Sequence, residues 1–157
     1  MLARRLFLTA AVSLIALPAA AQDYKLGSLE ITTPWTRATA PTARSGGGFM
    51  TITNKGTTAD RLISARSTAS DKVEIHEMQM DGSVMRMREL AKGLDIPPGA
   101  TVLLKPGSYH IMFMELKAPL AKDAKVPVTL VFEKAGSIDV QLDVQAMGAM
   151  PQGHGKN

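Results

Sequence analysis

The sequence predicts an all-β domain built as an antiparallel sandwich or barrel. Residues 137–145 alternate between apolar and polar side chains, which is typical of an antiparallel strand with one buried face. Other short apolar segments recur along the chain, with Gly- and Pro-rich turn signals between them, and no stretch keeps a helical period. Several short strands separated by regular turns favour a β-sandwich or barrel.

The individual strands follow from this alternation and from the turns that bound them. Asn54-Lys55-Gly56 closes the first segment, Pro97-Pro98-Gly99 and Pro106-Gly107 separate later ones, and Pro127 indicates a strand start or an edge strand. The predicted strands are 49–53, 61–67, 73–80, 84–90, 101–104, 108–114, 126–132 and 137–145.

Residues 1–21 have the pattern of a cleaved secretion signal. Arg4 and Arg5 form a basic start, residues 6–17 are apolar, and small residues follow Pro18. A membrane span needs about 20 apolar residues, so we expect export by the general secretory or twin-arginine route, and no stable membrane insertion after cleavage. No cysteine follows the apolar run, so we expect no lipid anchor. The predicted location is the periplasm.

The rest of the chain predicts one domain, residues 22–145, and a flexible Met/His-containing tail, residues 146–157. Loss of the two signal arginines lowers the formal net charge of +4 by two. No basic block is present and only 4% of residues are aromatic, so nucleic-acid binding is not indicated. Because the chain has no cysteine, its core alone must hold the domain together.

The placement of histidine and methionine is the most informative feature for function. The chain has three histidines, and two of them, His76 and His110, lie in strand-like segments dense in methionine. Imidazole and thioether donors without thiolate suit a soft metal, above all copper(I). A blue-copper electron carrier needs a cysteine thiolate. The pattern therefore predicts a protein that holds copper and is not an enzyme.

One histidine lies in a segment that predicts a β-hairpin. Asp81-Gly82 is a strong signal for a two-residue turn. With these two residues as the loop, His76 lies directly opposite Met87, and directly opposed residues share a face of the sheet. A three-residue loop through Ser83 would move Met87 away from His76.

The second histidine repeats the arrangement within one strand. His110 and Met112 are two residues apart, so they project from one face. Together with His76 and Met87 they supply two imidazole nitrogens and two thioether sulfurs, a neutral set that suits copper(I). Such a set binds more weakly than thiolates and cannot close into a disulfide in an oxidising compartment, as suits a protein that gives its metal away.

Each of these residues also has a structural interpretation. A single histidine in a strand is more often structural, and methionine usually fills gaps in a core. We expect core packing for Met78, Met80, Met85 and Met114. The joint pattern of two histidines, each with an in-register methionine, favours a metal site.

The spacing of the four candidate ligands forms a motif. His76 is followed by ten residues and Met87, then by 22 residues and His110-Ile111-Met112. This order resembles the motif of the periplasmic copper chaperones of the PCuAC family. The similarity spans about residues 31–144 and includes segments 34–38, 50–54, 103–110 and 132–136.

This resemblance has consequences for fold, ligands and partners. It implies a cupredoxin-like β-sandwich and copper(I) held by His76, Met87, His110 and Met112. It also implies delivery of copper towards the CuA or CuB centres of cytochrome c oxidase, with assembly proteins such as Sco-type thiol proteins as partners.

The tail agrees with a Met/His-rich extension found in many members of that family. Met147, Met150 and His154 lie among glycines, and their thioethers suit copper(I). His154 with backbone nitrogens suits copper(II). The tail is thus a candidate secondary copper site, and an idle tail is the alternative.

Three functions compete on the sequence alone. The first is a non-enzymatic periplasmic copper(I) chaperone for cuproprotein assembly. The second is a copper buffer or tolerance protein that stores the metal without a specific acceptor. The third is a secreted β-sandwich interaction module whose methionines only pack.

Overall fold

The structure is a computed structural model that describes residues 22–151. The predicted signal, residues 1–21, and His154 lie outside the described residues. The described chain forms eleven β-strands. They are β1 Tyr24–Leu26, β2 Leu29–Arg37, β3 Gly46–Asn54, β4 Asp60–Arg66, β5 Val73–Asp81, β6 Val84–Glu89, β7 Leu94–Ile96, β8 Thr101–Leu104, β9 His110–Phe113, β10 Lys125–Phe132 and β11 Gly136–Gln145.

The strands form one mixed, mostly antiparallel sheet. Its order is β6-β5-β9-β3-β2-β11-β10-β4-β7, with β1 also paired to β2 and β8 also paired to β3. Among the strand pairs of residues 22–151, only β11 and β2 run parallel. The prediction of a single all-β domain is confirmed.

Three strands had no counterpart in the prediction: β1, β2 and β7. In β2, Thr33 has a positive φ of 48° next to Pro34, and the register with β3 shifts between Thr32 and Trp35. This irregularity interrupts the alternation that identifies a strand from sequence. β1 and β7 have three residues each, too few to show a period.

The inner face of the sheet closes around one hydrophobic core. Alternate residues of each long strand supply it, as Ile75 of β5 and Ile111 and Phe113 of β9 show. Because successive side chains point to opposite faces of a strand, the intervening residues His76 and His110 point to the outer face. Burial of the apolar side chains fixes this orientation, since a shift of one residue in strand register would expose them to solvent.

The β5–β6 hairpin does not have the predicted register. Its loop is Gly82-Ser83, with Asp81 paired to Val84, so His76 lies opposite Glu89 rather than Met87. Gly82 has a φ of 62°, which suits the first loop position of a type II′ turn, where glycine is favoured. The predicted opposition of His76 and Met87 is therefore wrong. The shift moves Met87 by two residues relative to β5, so it remains on the same face as His76.

Candidate metal centre

Two histidines meet on the outer face, where β5 and β9 pair. His76 lies directly opposite His110 in the register of these strands. Their ring centroids are 5.8 Å apart and the rings are inclined by 64°. Both residues are nearly buried, with 7% and 5% of their surfaces exposed. Nothing in the sequence alone pairs these two strands, so this contact is a product of the fold.

The ring of His76 is held by a carboxylate on its own strand. His76 Nε2 and Glu74 Oε2 are 2.6 Å apart, and Glu74 Oε1 also pairs with Lys72 Nζ at 2.6 Å. The Lys72 ammonium, and after it His76, hold the pKa of the Glu74 carboxyl below its ordinary value. An ionised Glu74 accepts a hydrogen bond from Nε2–H, and in the neutral ring the lone pair is then on Nδ1. His76 Nδ1 is buried and has no hydrogen-bond partner.

His110 is oriented by the backbone. Its Nδ1–H donates to the carbonyl oxygen of Ser108 at 3.0 Å, so its Nε2 carries the lone pair. Burial, followed by the nearby His76, lowers the pKa of His110 and outweighs the opposing effect of the Ser108 hydrogen bond. The neutral ring, the form that binds metals, is thereby favoured.

The predicted sulfur donors lie on the same outer face. Met112 of β9 is opposite Glu74, and Met87 of β6 is opposite Met78, two residues along β5 from His76. Such diagonal neighbours are within reach of long side chains. Within residues 22–151 no group of three or more His, Cys, Asp or Glu side chains is placed to hold a metal ion. This face carries two imidazoles and several thioethers, together with the carboxylates of Glu74 and of Glu89, which lies opposite His76.

Two aromatic rings extend the outer face beside His110. Gly48 pairs with Ile111, so the next residues, Phe49 and His110, are neighbours across β3 and β9. Phe49 packs on Trp35 with ring centroids 4.7 Å apart. Both rings are buried yet lie outside the main core cluster. They therefore form an apolar wall next to His110.

Glycine at position 47 allows this wall to form. A Cβ there would lie 2.9 Å from the edge of the Phe49 ring, closer than carbon atoms approach. Gly47 pairs with Met112. The absence of a side chain at Gly47 thus leaves the space that the Phe49 ring of this wall occupies.

The sequence prediction missed the contact between Glu74 and His76, and it was wrong about two methionines. Glu74 was not singled out, although its position two residues before His76 places it on the same face. Met80 and Met85 were expected in the core, and this is wrong, because they are 58% and 49% exposed. Met78 and Met114 are half-buried.

The described part of the tail attaches to the end of β2. Arg37 Nε donates to the carbonyl oxygen of Ala149 at 2.8 Å, and the Arg37 guanidinium lies 3.7 Å from the sulfur of Met150. The same guanidinium lies 5.9 Å from the centre of the Trp35 ring. Met147 and Met150 are largely exposed. The structure thus places Met150 beside β2, whereas the primary candidates lie on β5, β6 and β9.

The family follows from comparison of the whole domain. A family described as "Putative lipoprotein LpqE-like" matches residues 29–144. The chain belongs to this family. A protein of Leifsonia xyli subsp. xyli, named "Putative lipoprotein Lxx21020", is 32% identical over 131 residues, which cover 82% of this chain and 78% of that protein.

Solved structures place this LpqE-like protein with PCuAC domains. The "Copper-bound PCuAC domain from PmoF2" matches with a TM-score of 0.68 and 26% identity over 80% of this chain and 98% of that one. The solution structure of "CuI-DR1885" from Deinococcus radiodurans shares the fold, with a TM-score of 0.63 and 24% identity over 85% of this chain and 87% of that one. The predicted resemblance to the PCuAC family is confirmed.

The names of the family and of the Leifsonia protein contain the word lipoprotein, whereas the sequence of this LpqE-like protein contains no cysteine. Between residues 22 and 151, no helix has the length and apolar character needed to cross a membrane. The export signal and the expectation of no lipid anchor stay predictions.

Proposed function

We propose that this LpqE-like protein is a non-enzymatic copper(I) carrier that works in the periplasm. His76, Met87, His110 and Met112 are its proposed ligands. The observation that carries the proposal is the buried, unpartnered Nδ1 of His76 beside the ring of His110.

The unpartnered nitrogen calls for a ligand. A buried polar atom without a hydrogen bond costs about 1–3 kcal/mol, and nearly all such atoms in folded proteins are paired. Glu74 occupies the other nitrogen of His76, so the lone pair of the ring is left on the buried Nδ1. A carboxylate that fixes a histidine in this way is the usual outer partner of a metal-bound imidazole.

The distance between the two rings agrees with a shared metal. Metal–imidazole bonds of about 2 Å on two rings place the ring centroids roughly 5–6 Å apart, depending on the angle at the metal. The centroids of His76 and His110 are 5.8 Å apart. This separation is compatible with one ion bound by both rings.

The remaining donors favour copper(I) over harder cations. Thioethers are soft ligands that select copper(I), whereas carboxylates and carbonyls suit magnesium or calcium. The similar domain from PmoF2 is named as copper-bound, and the DR1885 structure as its CuI form. Both comparisons support copper as the metal of this protein.

Exposure of one ligand favours delivery over storage. Met87 is 47% exposed, so an acceptor can approach the copper from the side of β6. We infer that the protein passes copper(I) to cuproprotein assembly, with the copper centres of cytochrome c oxidase and Sco-type thiol proteins as the proposed destination. A copper buffer remains the second candidate, and an acceptor assay separates the two.

Copper K-edge absorption on the anaerobic copper(I) protein tests the ligand set. We expect a one-to-one complex with nitrogen and sulfur neighbours in equal number. A spectrum without sulfur would contradict the proposal, as would unchanged binding in His76→Ala and His110→Ala variants. Transfer of copper to a reduced CuA domain, compared with transfer to free chelator, then distinguishes a carrier from a buffer.

The proposed location rests on residues 1–21. Cleavage after Ala21 would leave Gln22 as the first residue of the exported protein. Intact-mass measurement of the periplasmic protein should give the chain that begins at Gln22. Recovery of the full-length chain from the membrane would contradict periplasmic release.

A further inference from the structure

The β5–β6 hairpin carries four methionines on the outer face. Met78 lies opposite Met87, and Met80 lies opposite Met85. We call these two opposed pairs the methionine ladder. It runs from the imidazole pair to the hairpin tip, and three of its four side chains are about half exposed, from 47% to 58%.

The backbone brings the side chains of each pair close together. The N–H of Leu90 donates to the carbonyl oxygen of Ile75 at 2.8 Å, so Ile75 and Leu90 form a hydrogen-bonded pair. Bonded and non-bonded pairs alternate in an antiparallel ribbon. Both methionine pairs are therefore non-hydrogen-bonded pairs, the kind in which opposed side chains lie closest.

The opposite face of the hairpin has a different chemistry. Arg88 pairs with Glu77, and Arg86 Nε pairs with Asp81 Oδ2 at 2.8 Å. The charged groups are thus satisfied on one face, and the thioethers collect on the other. Single exposed apolar residues are normal on a protein surface, but two directly opposed pairs in line with an imidazole pair form a continuous row of soft donors.

We propose that Met80 and Met85 form a second copper(I) site at the hairpin tip, through which copper enters and leaves the site at His76 and His110. This inference rests on the proposed function. Successive pairs of the ladder are about 6.7 Å apart along the strands, within reach of flexible methionine side chains. At each step a copper–sulfur bond forms as another copper–ligand bond breaks. Copper remains in the +1 state, and because thioethers are neutral and do not titrate, no proton or electron moves.

Anaerobic titration of the mature protein with copper(I) alone, followed by the NMR signals of the methionine methyl groups, tests the two sites separately. The proposed function predicts that the first equivalent shifts the signals of Met87 and Met112. The further inference predicts that a second equivalent shifts those of Met80 and Met85. If the methyl signals of Met80 and Met85 do not shift at excess copper, the tip site is overturned and the proposed function is left intact.

Transfer kinetics test the role of the tip. In a Met80→Leu, Met85→Leu double variant, release of the first copper to a chelator should slow by about tenfold, with its affinity changed by less than about twofold. Val84→Ala alters the other face of the same tip and should transfer copper at the rate of the unmodified protein. Equal rates for the double variant and the unmodified protein would overturn the inference. A first equivalent bound at Met80 and Met85 would support the tip site and contradict the proposed function.

Discussion

Glu74 Oε2 lies 2.6 Å from Nε2 of His76, while Nδ1 of the same ring is buried without a partner. One carboxylate therefore decides which nitrogen of His76 keeps the lone pair that a metal ion would take. Because Lys72 holds the other oxygen of Glu74, the carboxylate has little freedom to turn away. The series of contacts Lys72–Glu74–His76 orients the ring of this proposed ligand.

Removal of this carboxylate should weaken copper(I) binding. Loss of such an outer partner typically costs about 10–100-fold in metal affinity, and we expect Glu74→Ala to fall in this range with the fold intact. Chelator competition measures the change. Glu77→Ala, on the opposite face of β5, is the matched control and should bind like the unmodified protein. Equal losses in both variants would show a general effect of charge.

The methionines should divide into ligands and packing residues. Met87→Ala and Met112→Ala should each weaken copper(I) binding with little change in stability. Met78→Ala and Met114→Ala should instead lower the free energy of unfolding by about 1 kcal/mol, less than for fully buried methionine, with copper affinity retained. Chelator competition and chemical denaturation of the four variants decide the assignment. Control of affinity by Met78, which lies opposite Met87, would exchange these two roles.

Acid should release the copper. His110 must be neutral to bind the metal, and an unperturbed histidine has a pKa of about 6.5. Burial lowers the pKa of His110 in the apo protein, and the bound metal opposes protonation further, so release should occur below pH 6.5. A chelator-competition series across pH measures it. Affinity that does not change down to pH 4 would indicate binding by thioethers alone.

The lowered pKa of His110 also affects the stability of the apo protein. A lowered pKa in the folded state means that the unfolded chain binds the proton first as the pH falls. The contribution of His110 to stability is therefore present above about pH 6.5 and is lost as the pH falls towards the lower folded value. Urea denaturation of the protein and of His110→Gln at several pH values should converge in acid.

A second acid-sensitive group is Asp60 at the start of β4. Asp60 is nearly buried, which alone would raise its pKa, but hydrogen bonds from the backbone N–H groups of Lys134, Arg61 and Ala135 lower the pKa overall. Asp60→Ala should destabilise the fold by about 1–3 kcal/mol, because it leaves these donors unpaired. This stabilisation is present above the unfolded value of about 3.9 and is lost as the pH falls through the folded one.

An exposed carboxylate supplies the control for Asp60. Asp95 forms a surface ion pair with Arg61 at 2.7 Å, and such pairs contribute at most about 1 kcal/mol. Asp95→Ala should therefore unfold at nearly the same urea concentration as the unmodified protein. A loss as large as that of Asp60→Ala would mean that charge, and not the backbone hydrogen bonds, determines the effect.

Deletion of residues 147–157 should leave the fold and the copper(I) site intact. Within the described part of this segment, Met147 and Met150 are exposed, and Arg37 binds the segment from β2. Binding of copper(II), or of an additional copper ion, should decrease, since Met147, Met150 and His154 form the proposed secondary site. Titration of both oxidation states before and after truncation measures this. Unchanged stoichiometry in both would show that the tail is idle.

The sequence by itself determined which side chains share a face. Alternation along β5 and β9 places His76 and Met78 together, and His110 and Met112 together, whatever the exact register. The hairpin prediction erred in the position of the loop, because Asp81-Gly82 and Gly82-Ser83 are both acceptable two-residue turns. Met87 nevertheless stayed on the face of His76, since the error displaced it by two residues.

Only the tertiary structure decided what those faces meet. The pairing of β5 with β9, which brings His76 opposite His110, joins distant segments and depends on burying Ile75 and Ile111 in the common core. The hydrogen bond to Glu74 and the exposure of Met80 likewise depend on which strands lie beside the hairpin. Local periodicity fixes the direction of a side chain, whereas its neighbours and its access to solvent depend on how the whole apolar surface is buried.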